Sequence, residues 1–231
     1  MAFAEEIERA HGVSGELVLR RGPAGLEIVA NGVFLVSAAN AASSRALAAA
    51  AWPHVAGDAL DVLIGGLGIG DALDEALACE RVASVTVAEL EPTVVRWFRA
   101  HGGGRARRAE AAERSGRARV LVADVADLLT TARGAWDVVA LDTDNGPEWL
   151  VRRENARLYT AAGLQAVRAA LRPGGAAVFW SPEAYPSFDG DLRDVFDDVN
   201  TVAALDVIDG RRLDSTMYVA RRVDGSPALR E

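Results

Sequence analysis

The stretch Asp61-Val62-Leu63-Ile64-Gly65-Gly66-Leu67-Gly68-Ile69-Gly70-Asp71 passes from an apolar run through clustered glycines into a helical pattern. Glycine tolerates positive φ and lacks the Cβ that keeps a ligand off the backbone. A helix that follows such a turn offers unpaired N–H groups and the positive end of its dipole. Asp61 to Ile64 is therefore expected to form a strand and Asp71 to Ala78 a helix, with Leu73, Ala76 and Leu77 on one buried stripe.

About 20 residues beyond such a turn, doubly wound folds place an acid on a ribose diol. Here Glu89 ends the apolar run Ser84-Val85-Thr86-Val87-Ala88. A carboxylate accepts from both ribose hydroxyls at once, which sets this pattern apart from a bare strand-to-helix turn. The dinucleotide fingerprint G-x-G-x-x-G is not met, because the third glycine of Gly66-x-Gly68-x-Gly70 arrives one residue early. A P-loop is excluded, since the chain contains no lysine.

At 231 residues, 50% of them hydrophobic, the chain can bury one full core with a small appendage. Its formal charge of −8 argues against a nucleic-acid binder, which needs a basic face to release counterions. The start, Met1-Ala2-Phe3-Ala4-Glu5-Glu6, is acidic and is not expected to act as a secretory signal, and the Ala-rich stretch from Ala38 to Trp52 is too short and polar to span a bilayer. A cytoplasmic protein without membrane attachment is the expectation. Cys79 is the only cysteine and lies on an apolar helix, where a core role is expected; His11, His54 and His101 are too isolated for a metal-ligand pattern.

Glu16–Arg20, Leu26–Ala30 and Val33–Val36 read as antiparallel strands around a Gly-Pro turn and Asn31-Gly32. A helix capped near Ser43 or Ser44 and stopped by Pro53 completes an N-terminal β element and helix over 1–57. The main domain, 58–231, alternates strands and helices, which implies parallel strands with crossover helices. Its second helix starts at Pro92. His101 to Arg117 has little apolar content and is expected to be a solvated insertion.

Strands Arg119–Ala123 and Asp137–Leu141 end in Asp124 and Asp142, so acids close three successive strands; in an open α/β sheet these ends form the ligand crevice. A single such Asp has a simpler alternative as the cap of the next helix. A helix from Ala161 to Leu171 stops at Arg172-Pro173-Gly174-Gly175, strand Ala176–Trp180 follows, and an antiparallel pair turning at Asp209-Gly210 closes the sheet.

These features together resemble a class I S-adenosylmethionine-dependent transferase, and more narrowly the spermidine synthase family. The resemblance spans nearly the whole chain and rests on the Ile64-Gly65-Gly66 loop, on Leu141-Asp142-Thr143-Asp144-Asn145-Gly146-Pro147 and on Leu171-Arg172-Pro173-Gly174-Gly175. It implies an α/β fold, the Rossmann-like class I methyltransferase fold, with a seven-stranded, mostly parallel sheet, an antiparallel last strand and the small N-terminal β element. It also implies S-adenosylmethionine, or its decarboxylated form, as cofactor. Gly65, Gly66, Leu67 and Gly68 would pass along its tail, Glu89 would hold the ribose, Asp124 would accept from the adenine amino group, Leu90 and Val125 would pack on the ring, and Asp142 would face the sulfonium. A homodimer is a further implication.

The departures are specific. Aminopropyltransferases carry an aspartate inside the glycine loop where Gly68 stands here, their loop after the fourth strand has its proline earlier than Pro147, and their Tyr-His-Glu segment has no counterpart. These losses remove anionic groups that would recognise a diamine. Asp142, helped by Asp144, is the expected base for the acceptor's nucleophile. Asn145 to Tyr159 is expected to form a lid that shapes the acceptor pocket with Asn145, Trp149 and Tyr159; an ordinary connection with Trp149 and Tyr159 packed on the core is the alternative. Trp180, Ser181 and Glu183 are expected on the opposite wall. Three functions follow: methyl transfer to a small acceptor, aminopropyl transfer to a polyamine, or a non-catalytic nucleoside-binding or oligomerisation module.

Overall fold

The computed structural model describes residues 4–143, 146–208 and 211–223. Strands β1 (Glu5–Gly12), β2 (Gly15–Gly22), β3 (Gly25–Ala30) and β4 (Val33–Ser37) form a four-stranded antiparallel sheet in sequential order. The acidic segment expected only to lack a signal sequence is its first strand. Leu17, Leu19, Ile28 and Ala30 are buried from this sheet into a core shared with the main sheet, so the N-terminal strands are packed on the rest of the chain.

The main sheet is built from β5 (Leu60–Gly65), β6 (Val82–Glu89), β7 (Ala118–Val122), β8 (Trp136–Leu141), β9 (Leu171–Ser181), β10 (Asp198–Ile208) and β11 (Arg211–Arg221). Its order is β10-β11-β9-β8-β5-β6-β7, with β5, β6, β7, β8 and β9 parallel and β11 antiparallel to β9. After β7 the chain returns to lay β8 on the other side of β5, so the order reverses at the β5/β8 pair. Ligands in such sheets bind outside the carboxyl ends of the strands at this reversal. There Gly65 pairs with Leu141, which brings the glycine turn beside Asp142. Residues 209 and 210, expected as the last turn, lie outside the described residues.

Helices cover both faces. Helices α1 (Ala41–Ala49), α2 (Asp71–Ala78), α3 (Pro92–His101) and α4 (Gly103–Arg114) share one core with Val62 and Ile64. Helices α5 (Val125–Thr131), α6 (Ala161–Ala170) and α7 (Pro186–Val195) share the other with Leu63, as strand alternation dictates. The expected solvated insertion at 101–117 is instead a helix, α4. Its buried stripe is made of Ala106 and Ala109, small residues with high helix propensity that add little hydrophobic signal. Arg105 of α4 donates to the buried Asp71 at 2.8 Å, and Arg108 to Asp74 at 2.6 Å.

Helix α1 begins at Ala41, earlier than a cap at Ser43 or Ser44 would place it. Its amides at Ala42 and Ser43 both donate to Asp206 Oδ1 of β10 at 3.1 Å, while Ser43 Oγ donates back to the Asn40 carbonyl. Among the described residues no helix is long and apolar enough to cross a membrane.

Candidate functional site

A cavity of about 780 Å³ opens at the β5/β8 reversal, floored by the carboxyl ends of the parallel strands and roofed by β4, the start of α1 and the segment after β8. Gly66 stands at φ +95°, and a Cβ there would collide with the Asp142 carbonyl oxygen, so only glycine lets β5 turn this close to β8. Gly68, at φ +52°, faces Val36 of β4: a Cβ placed on it would lie 3.4 Å from Val36 Cγ2.

Glu89, at the end of β6, is buried. Its Oε2 accepts the Leu67 N–H and its Oε1 the Glu91 N–H, both at 2.8 Å. Burial raises the Glu89 pKa, and the amides of Glu91, Leu67 and Gly68 offset part of that by favouring the charged form. The glycine loop thus serves as a clamp on this carboxylate, whose remaining lone pairs stay open to ligand hydroxyls. Glu91 reaches the other way: it accepts the Val13 N–H at 2.9 Å and the Ser14 N–H at 2.6 Å, which ties the β1–β2 turn to the cavity edge.

Asp124 lines the cavity and also caps α5, accepting the Ala126 N–H at 3.0 Å. Its other oxygen is bridged by Arg157 at 2.6 Å and Arg152 at 3.3 Å. Three donors on a group with about four lone-pair directions leave one for an adenine amino group. Asp142 differs from every other acid here. It lies at the end of β8 with its backbone N–H on the Gly65 carbonyl at 2.9 Å, and among the described residues nothing donates to its carboxylate. Burial pushes its pKa up to about 6.

Of the residues expected at the site, Gly66, Gly68, Glu89, Leu90, Asp124, Val125, Asp142 and Trp149 line this one cavity. Gly65 and Leu67 lie behind it, the first packed against Leu141 and Val125, the second buried with its N–H on Glu89. Tyr159 is a correction: it stands outside the cavity lining, its ring edge-on to Phe188 at 5.6 Å, which is the packing role weighed against the lid. The opposite wall holds Trp180 and Pro182, while Ser181 is fully buried and Glu183 accepts from the Tyr185 hydroxyl away from the lining. Asp144 and Asn145 lie outside the described residues. Val151, Arg152 and Asn155 of the segment after β8 also line the cavity, with Asn155 Nδ2 donating to the Thr143 carbonyl at 3.3 Å. Glu27, Glu91 and the β4 residues Val33 to Ser37 complete the wall; their alternation identifies a strand but not what the strand covers.

A parallel sheet with this order, a glycine turn at its reversal and an antiparallel N-terminal sheet over the strand ends give the Rossmann-like fold seen in spermidine synthases. Among solved structures the chain is similar to a spermidine synthase in complex with the transition-state analogue AdoDATO, with a TM-score of 0.76 and 18% identity over 94% of this chain and 73% of that one. It is also similar to the spermidine synthase from Thermotoga maritima, with a TM-score of 0.70 and 17% identity over the same shares. Comparison with protein-family models and with curated proteins gives no match.

Proposed function

We propose that this chain is an S-adenosyl-sulfonium-dependent transferase that moves a methyl group to a small acceptor. The observation that carries the reading is the convergence, in one cavity at the sheet's reversal, of an acid clamped by the glycine loop and an acid to which no described residue donates. The residues suit such a nucleoside: Gly66 and Gly68 bring the turn's backbone to the cavity wall, Glu89 would take the ribose diol, and Leu90 and Val125 would flank the base. When bound, the sulfonium supplies an electrophilic carbon and leaves as a neutral thioether.

The chain's own task is then to align the acceptor and to take its proton. Asp142, with a pKa of about 6, is largely ionised at pH 7 and poised to accept that proton. A second reading, aminopropyl transfer, draws on the fold of the spermidine synthases. Against it stands Val36 over Gly68, an apolar group in the space where the resemblance puts an amine-binding aspartate.

The test is thermal unfolding with S-adenosylmethionine, its decarboxylated form and methylthioadenosine. A nucleoside at about 100 times its dissociation constant should add roughly 2.7 kcal/mol of stability. Glu89→Ala should abolish the shift, whereas Glu183→Ala, off the cavity, should retain it. Preference for the carboxylate-bearing form supports methyl transfer, preference for the decarboxylated form supports the second reading, and no shift with any of the three removes both.

A further inference from the structure

The cavity's carboxylates are almost all committed to the protein. Glu91 holds the Val13 and Ser14 amides, Asp124 holds the Ala126 amide and two arginines, and Glu27 pairs with Arg20 at 2.7 Å while taking the Ser37 hydroxyl at 3.4 Å. Glu89 is clamped by the amides of Leu67 and Glu91 beside that of Gly68, and its remaining capacity is assigned to the ribose. Among the described lining residues Asp142 is the one carboxylate with both oxygens open. An ammonium group drawn out of water needs a carboxylate of its own, so a polycation, which needs two or more, would have to share acids that among the described residues already hold protein donors.

The rest of the wall has a different chemistry. Phe34, 52% exposed with the Arg20 guanidinium 4.5 Å from its ring centroid, and Trp149, 56% exposed, both open onto the cavity together with Trp180, and β4 adds Val33, Leu35 and Val36. Exposed ring area in a concave site is buried against a flat partner, and Trp149 offers it free of the guanidinium contact that Phe34 has. We infer that the acceptor is a small aromatic molecule carrying a single O–H or N–H nucleophile, its flat body against these rings and its nucleophile at Asp142, and that it is not a polyamine. This inference rests on the transferase reading above, which assigns Asp142 to the acceptor.

The test is calorimetric titration of the full chain, free and saturated with methylthioadenosine, with 2-naphthol as the aromatic probe and spermidine and putrescine as polycations. The expected result is 2-naphthol binding at least tenfold tighter than either polyamine, weakened about tenfold by Trp149→Ala with methylthioadenosine affinity unchanged. Trp180→Ala should act in the same direction, and the exposed position of Trp149 keeps the test valid if the half-buried Trp180 is needed for folding. Spermidine or putrescine binding as tightly as 2-naphthol overturns the inference, as does 2-naphthol binding that Trp149→Ala does not change. If methylthioadenosine binds and 2-naphthol does not, the acceptor class is wrong and the donor reading survives. If 2-naphthol binds the free chain in the expected way and methylthioadenosine does not bind, the donor reading falls and the aromatic preference of the wall stands.

Discussion

Asp142 is a half-buried acid that no described donor in the chain stabilises, and this sets its behaviour with pH. Its folded pKa of about 6 lies above the ordinary 3.8, so between those values the folded chain holds a proton that the unfolded chain has released. Stability therefore falls as pH rises through this window, and the full penalty stands above about pH 6. At about 1.4 kcal/mol per pKa unit the penalty is at most roughly 3 kcal/mol. Asp142→Asn should accordingly be more stable than the parent chain in urea unfolding at pH 8, by up to that amount, and no more stable at pH 3. The same variant should lose transfer, and the acid limb near pH 6 in the parent's rate profile should vanish with it. Equal stabilisation at both pH values would show that burial of the charge is not the cause. The sequence marked this residue, because an acid closing an apolar strand is a local pattern. That Tyr159 turns to Phe188 instead was not legible, since an aromatic after a polar segment serves a lid or a core equally well.

At the scale of elements, the strand–glycine–helix unit and the starts of α3 at Pro92 and α6 at Ala161 were readable, and the start of α1 was not. Gly66 and Gly68 occupy positive φ as the clustered glycines required, and α2 follows directly. The start of α1, in contrast, is capped by Asp206 from 164 residues away, a partner that no reading of neighbouring residues reveals. Asp206→Ala leaves the Ala42 and Ser43 amides without their acceptor and should cost about 1 kcal/mol, within the roughly 0.5–2 range for lost caps. Urea unfolding measures the loss, and faster hydrogen exchange at those two amides would assign it to the cap. Helix α4 escaped notice because its buried face is alanine and its arginines read as solvated. In the fold, Arg105 neutralises a buried acid at the head of α2.

At the scale of the whole molecule, the cavity exists because the N-terminal sheet is packed over the strand ends of the main sheet. The two sheets share a core, and Glu91 fastens the β1–β2 turn to the loop that carries Glu89. Glu91→Ala removes two charge-assisted hydrogen bonds and should cost about 1.5–3 kcal/mol, the range for bonds to charged groups. Hydrogen exchange should quicken at Val13 and Ser14, and methylthioadenosine should bind more weakly. Exchange that quickens with affinity unchanged would mean that the hairpin is a mere neighbour of the nucleoside site.

The sequence by itself determined the alternation of strands and helices, the glycine turn after the first parallel strand and the acids at 89, 124 and 142, because periodicity, positive φ and strand termination are properties of adjacent residues. Only the tertiary structure decided how each acid is surrounded: Glu89 clamped by amides, Asp124 shared with Arg152 and Arg157, Asp142 without a donor among the described residues, and Val36 set over Gly68. Those outcomes depend on which distant donors and side chains share a space, and packing sets that where neighbours in sequence do not.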